Sequence, residues 1–360
     1  MGWTLTFILV FGIAALVPAV WAIVGVILGR KRLWPAVAGT LWALLLMLVT
    51  VIGMATKWGG CGADSSPGAV TCPGGCQPDV WASQCGRPSG CGAIPAGRFC
   101  PAGQQPVFVF CEPIRSGPIK QPWATWSDLS FIAAGLWLLW WFQFFARPGT
   151  SSSGGTTVTT TADNPMITIG WLSIAYCFIV IFMGPPSMWF HASMKDWGGW
   201  FDAISVVVWL GFNAIYVIYM LCGPMWGRGR GIARPITIMG VTAGFVLLFG
   251  GFAWAYPDMR LVGYLVSGGL WGLAELVYVI VGASAKGVKY RRTWWMFPVN
   301  VGILGLTMGT WMLFHDEIVS AATCRARQDI PGHAFFHILA SFSTIWTFVH
   351  FASERRVRGD

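Results

Sequence analysis

Charge is what this sequence has least of. Asp, Glu, Lys and Arg make up only 10% of its 360 residues, against about 25% in soluble domains, and 55% are hydrophobic. That balance excludes a water-soluble domain and points to an all-α, polytopic membrane protein. Histidine is scarce as well: five in the whole chain. No basic residue precedes the first apolar run, whereas Arg30, Lys31 and Arg32 follow it, the reverse of a secretory signal's charge order. Ala22 has the small side chain of a cleavage position, but the run continues to Leu28, and the segment reads as a retained anchor. No Asn-x-Ser/Thr acceptor and no retrieval signal is found, which leaves periplasm, ER lumen and cell exterior all open. No internal repeat is evident, and discontinuous paired halves of the kind a transporter uses are not visible.

What is present is apolar length. Stretches able to cross about 30 Å of hydrocarbon occur at 3–28, 34–56, 126–146, 165–190, 200–222, 235–256, 261–283, 294–314 and 332–352, about nine transmembrane helices. The 23 Trp suit a protein with many membrane–water boundaries. A net charge of +9 raises the possibility of nucleic acid, so the placement of the cations decides. With the amino terminus outside, Arg30, Lys31, Arg32, Arg147, Arg228, Arg230, Arg234, Lys286, Lys289, Arg291, Arg292, Arg355, Arg356 and Arg358 fall on the inner side. The short outer loops hold only Lys195, Arg260, Arg325 and Arg327. This is a positive-inside pattern, and the partner it implies is the bilayer rather than DNA or RNA.

The expected domain order is two leading helices (1–56), a Cys-rich extracytoplasmic loop domain (57–122), a seven-helix core (123–353) and a cytoplasmic tail (354–360). The loop contains Cys61, Cys72, Cys76, Cys85, Cys91, Cys100 and Cys111, a density that implies an oxidising side. Seven is odd. Cys324, in the outer loop before the last span, supplies an eighth and allows four disulfides, one of them stapling the loop to the core. CPGGC at 72–76 has metal-ligand spacing, although the loop contains no histidine. Cys177 and Cys222 read as packing residues. Residues 147–163 form a low-complexity inner linker.

The polar groups converge at one depth. The fourth span ends with Ser187 and His191, the fifth begins with Asp202 in its first turn, and the ninth begins with His333 and His337. Two histidines four apart share a helical face, and a third from another helix completes the nitrogen set of a catalytic zinc site with one open position. Asp202 is then a candidate proton acceptor or histidine-orienting group, and Ser187, one turn before His191, faces the same cavity. His315 and His350 read as interfacial residues, His315 on the same side as the triad. Glu275 lies deep in the seventh span with no role readable from sequence beyond packing or proton relay.

The spacing Ser187, His191, Asp202, then His333 and His337 resembles the superfamily that joins alkaline ceramidases, progestin and adiponectin receptors, and GPI-remodelling phospholipases. FHASM with Asp202, and GHAFFHIL, look most like alkaline ceramidases, and TWSDLSF at 125–131 is similar to that family's polar first core span. The resemblance covers spans three to nine. It implies a seven-helix bundle with Zn2+ held by His191, His333 and His337, and hydrolysis of a lipid amide by a metal-activated water. Asp202 would serve as base and then acid, and Ser187 would steady the oxyanion. Departures from the family are the two leading spans and the Cys-rich loop, which is closer to the phospholipases and leaves a lipid ester as alternative substrate. The acidic cluster that binds calcium in ceramidases is reduced here to Glu112, so no calcium site is expected. A seven-helix receptor or sensor with a structural zinc is the non-enzymatic alternative.

Overall fold

A computed structural model describes residues 2–27, 34–56, 108–113, 119–145, 150–153, 156–159, 164–168, 170–194, 196–222, 233–256, 260–281, 283–285, 288–315, 319, 323–324, 327 and 329–358. The cysteines at 61, 72, 76, 85, 91 and 100 lie outside these residues, as do most of the linker at 147–163 and the basic residues at 30–32, 147, 228, 230 and 286.

The protein is an all-α, polytopic membrane protein. Its helices are α1 (Gly2–Ile27), α2 (Trp34–Ala55), the short α3 (Pro122–Ser127), α4 (Leu129–Phe145), the single turn α5 (Pro165–Thr168), α6 (Gly170–Ser193), α7 (Asp196–Cys222), α8 (Ala233–Ala255), α9 (Arg260–Val281), α10 (Met296–Leu313) and α11 (Gly332–Ala352). Eight of them are long and apolar enough to span a membrane. The ninth expected span corresponds to α4, 17 residues long and preceded by α3 across a break at Asp128. Short antiparallel pairs join them: β1 (Phe108–Val109) with β2 (Glu112–Pro113), β3 (Thr150–Ser153) with β4 (Thr156–Thr159), and β5 (Ala283–Ala285) with β6 (Val288–Arg291) and β7 (Arg355–Arg358).

Helix α6 is the axis of the bundle. In its apolar window 78% of residues are buried, against 11% in α10, so α6 is ringed by protein and α10 faces lipid. Helices α2, α3, α4 and α7 pack on α6, α8 and α9 pack on α7, and α10 packs along α11. Without a hydrophobic drive inside lipid, close approach of backbones has to supply the packing. Gly135 and Gly184 provide it: a Cβ at either would come within 2.8 Å of a backbone oxygen, Cys177 and Asp128 respectively.

At the end of the bundle reached by the carboxyl terminus of α11, a buried ionic cluster replaces apolar packing. Arg292 Nη1 donates to both carboxylate oxygens of Glu275 (2.6 and 2.5 Å), its Nε lies 3.4 Å from Glu354 Oε2, and Tyr278 donates to the same Glu354 oxygen at 2.5 Å. His350 Nε2 lies 2.7 Å from Glu275 Oε1. Arg292, expected among the loop cations, is therefore buried, and His350, expected at the interface, is a core residue of this cluster. Burial works against the Arg292 charge, but the Glu275 and Glu354 carboxylates outweigh it and hold the guanidinium pKa above its ordinary value. Glu275 thus acquires a packing role: it ties α9 to the head of α10 and the tail of α11.

Candidate metal centre

The opposite end of the bundle gathers the sequence-predicted site. Pro185 and Pro186 inside α6 remove two consecutive backbone donors just before Ser187, so the Ile181 and Phe182 carbonyls lose their helical partners while the helix runs on to Ser193. The helix stops after Ser193 with Met194 in the left-handed region (φ 54°), its N–H returning to the Phe190 carbonyl at 2.6 Å. Two carbonyls left over at that terminus, His191 and Ala192, accept the N–H groups of Gln121 and Lys120, both at 3.0 Å. This pairing carries the start of α3 to the end of α6. Glu112 then closes the amino end of α3: its two carboxylate oxygens accept the Trp123 and Ala124 N–H groups at 2.8 and 3.0 Å, where an anion also suits the helix dipole.

Helix α11 begins at Gly332 and places His333 and His337 on one face in its first two turns. With His191 from the last turn of α6, the three buried imidazoles each offer a ligand nitrogen within 4.8 Å of the others. Their ring centroids are 4.6 to 5.0 Å apart. Three nitrogens bound to one ion at about 2.05 Å in a tetrahedron stand about 3.4 Å apart, a distance inside the 4.8 Å within which these nitrogens lie. These residues can hold a metal ion.

The surroundings fix which nitrogens face inward. His191 Nδ1 is 2.7 Å from Gln121 Oε1, so its N–H donates outward and Nε2 remains for the centre. His337 Nδ1 is 3.0 Å from Asp128 Oδ1, 2.9 Å from Ser127 Oγ and 3.2 Å from the Ala124 carbonyl. Orientation of a ligand imidazole through its second nitrogen is the usual support of a metal site. His333 Nδ1 is buried and has no hydrogen-bond partner among the described residues. An unsatisfied nitrogen of this kind costs about 1–3 kcal/mol, a cost that coordination through that atom would cancel.

Asp202 lies in the second turn of α7 rather than the first turn expected, because α7 starts at Asp196, one turn before the apolar run. Gly198 permits the tight α6–α7 corner, since a Cβ there would meet the Phe190 Cα at 2.9 Å. Ser187 lies near both carboxyl groups, Asp202 and Asp128, and the Arg260 guanidinium at the head of α9 lies near Asp202. Neither carboxylate joins the nitrogen cluster itself. Two carboxyl groups just outside the three imidazoles, Asp128 buried and Asp202 half-buried, are a charge match for a dication.

All five expected residues are therefore brought together, and the structure adds four that sequence reasoning did not assign: Asp128, Ser127, Gln121 and Phe110. The signal for Asp128 was present, an acid inside an apolar stretch, the same property that singled out Asp202. Gln121 gave none, because its place depends on carbonyls at the end of α6. His315 stands beside the triad through Phe110, whose ring meets it at 5.1 Å. A small apolar cavity lined by Ala203, Ile204, Val207, Phe249 and Arg260 lies between α7, α8 and α9, and none of the three histidines lines it. One of the expected disulfides is present, Cys111 with Cys324, joining the β1–β2 hairpin to the segment before α11. Cys111, Glu112 and Gln121, expected in the loop domain, thus belong to the core. No family model, curated protein or solved structure matches this chain.

Proposed function

We propose that the protein is a zinc-dependent integral-membrane hydrolase that cleaves a lipid amide of ceramide type, with its site on the extracytoplasmic side. The observation that carries this reading is the buried triad of His191, His333 and His337 with Ser187 and Asp202 beside it. Three nitrogen ligands without a carboxylate leave an open position suited to zinc. Zinc, when bound there, supplies Lewis acidity and an activated water.

The chain's own groups supply the proton handling. Asp202, half-buried at the rim, takes one proton from the attacking water as its oxygen adds to the amide carbon, then passes it to the amine nitrogen as the C–N bond breaks. A carboxylic acid and a free amine result. Ser187, near Asp202 and Asp128, donates a hydrogen bond from its hydroxyl toward the oxygen that gains charge.

Two features support a lipid and an outward site. Among the described residues α10 packs chiefly along α11 and hardly touches α9, so helix packing does not seal the wall between α9 and α10; behind it stand α7 and α11, the carriers of Asp202 and two histidines. The Cys111–Cys324 disulfide lies at the triad's end of the bundle, and disulfides persist on oxidising sides. The test is metal analysis of detergent-purified protein and of His333→Ala, with ceramide and a matched ester lipid assayed on the same samples. One zinc per chain that the substitution removes, together with released long-chain base, is the expected result. Zinc with ester cleavage alone would make the protein a phospholipase-type esterase, and zinc without either activity would favour a sensor.

A further inference from the structure

His333 is the one imidazole of the triad whose orientation no hydrogen bond explains. Its Nδ1, the atom that coordination would use, has no partner among the described residues, and no hydrogen bond to its other ring nitrogen is found there, while the Nδ1 atoms of His191 and His337 are held. What does touch its ring is aromatic. Phe110 stacks on it at 3.9 Å between centroids with an interplanar angle of 11°, and Phe336 stacks at 5.1 Å and 25°.

Phe110 reaches this place by an unfavourable turn. The register Val109↔Glu112 makes Phe110 and Cys111 the two central residues of a hairpin, and both have positive φ, 55° and 53°. Such turns select Asn-Gly or Gly-Gly, because only residues without a bulky Cβ adopt that conformation at little cost. A Phe-Cys pair persists there only where its surroundings over-determine it. Three anchors do so. Cys111 is bonded to Cys324, Glu112 is bonded to the head of α3, and the Phe110 ring meets His191 at 5.5 Å and His315 at 5.1 Å in addition to His333.

We propose that Phe110 is a positioning residue for the metal centre: its ring, held in place by the disulfide-anchored hairpin, fixes the plane of His333 and closes the triad from the hairpin side. The inference rests on the metal site proposed above. It explains why the hairpin tolerates two left-handed residues and why the disulfide joins this hairpin to the segment leading into α11, the helix that bears His333. A residue that only filled space would be replaceable by any apolar side chain of similar volume. A stacking residue is replaceable only by another ring.

That difference is the test. Wild type, Phe110→Leu, Phe110→Tyr and the Cys111→Ala/Cys324→Ala double variant are purified in detergent, and zinc affinity is measured by chelator competition. Visible spectra of the cobalt-substituted proteins report ligand geometry independently of activity. Phe110→Leu and the double variant should bind zinc about tenfold more weakly, the range for losing a group that orients a ligand, with altered cobalt bands. Phe110→Tyr should stay within about twofold of wild type on the same scale. Thiol labelling of the Phe110 variants checks that the disulfide has formed. Wild-type affinity and an unchanged cobalt spectrum in Phe110→Leu would overturn the inference and leave the metal site standing. A wild type that binds no zinc removes both.

Discussion

Replacing Asp128 by Asn tests the support of the metal centre without altering its shape. In the native protein His337 Nδ1 faces one carboxylate at 3.0 Å, one hydroxyl at 2.9 Å and one carbonyl at 3.2 Å, all competing for a single N–H. A hydrogen bond to a charged group contributes about 1.5–3 kcal/mol and a neutral one about 0.5–1.5. Asn keeps one acceptor oxygen, puts an amide NH2 in place of the other and removes the charge, so the loss is about 1–1.5 kcal/mol, close to tenfold in zinc affinity. The local charge argues in the same direction, since the site would then offer one carboxyl group instead of two to balance a dication. Ser127→Ala should cost less than about threefold because the carboxylate remains. The pair of substitutions should not be additive, as both act through one nitrogen. Chelator competition on purified protein reads all three values. Zinc affinity within twofold of wild type in Asp128→Asn would refute the reasoning, and Asp128 would then be a buried acid without influence on its histidine.

Further outcomes follow from the same geometry. His191→Ala and His337→Ala should each abolish stoichiometric zinc by metal analysis, since two imidazoles alone do not complete the site. Asp202→Asn should retain zinc and lose about 10²–10⁴-fold in turnover with a lipid amide, the scale of a proton-transfer group; loss of metal instead would make Asp202 a ligand-supporting residue. Glu275→Gln should lower stability by about 3–5 kcal/mol, because it leaves the buried Arg292 guanidinium short of an anion, while zinc stoichiometry stays unchanged. Thermal unfolding in detergent beside metal analysis checks both halves of that statement.

Much of this was legible in the order of residues, for a physical reason. Apolar length is a strong signal, so the last expected span, 332–352, coincides with α11, and the second with α2 to within a residue. The start of the fifth span was less sharp because residues 196–199 hold an acid and two glycines around Trp197 yet are helical, and Asp202 moved by a turn as a result. The triad was readable because His333 and His337 repeat at helical spacing and His191 ends a span that charge counting places at the same depth. Its supports were less readable. Gln121 and Glu112 act through backbone groups far along the chain, Phe110 through a turn conformation its sequence disfavours, and Arg292 pairs across three helices. None of these leaves a periodic trace. Asp128 was the avoidable omission, since an acid within an apolar run should be assigned a task before it is set aside.

The tail of α11 has a consequence for anyone handling the protein. Glu354 follows the helix by two residues, faces Arg292, accepts the Tyr278 proton and, through its carbonyl, receives the Asn164 amide that also binds the Phe351 and Ala352 carbonyls. Past it, β7 completes a sheet with β5 and β6. These few residues act as a latch between Asn164 at the head of α5, the α9–α10 connection and the last helix. A chain cut before Glu354 would shed one anion of the buried cluster and expose the edge of β6, so an affinity tag belongs after Arg358, beyond the last paired residue.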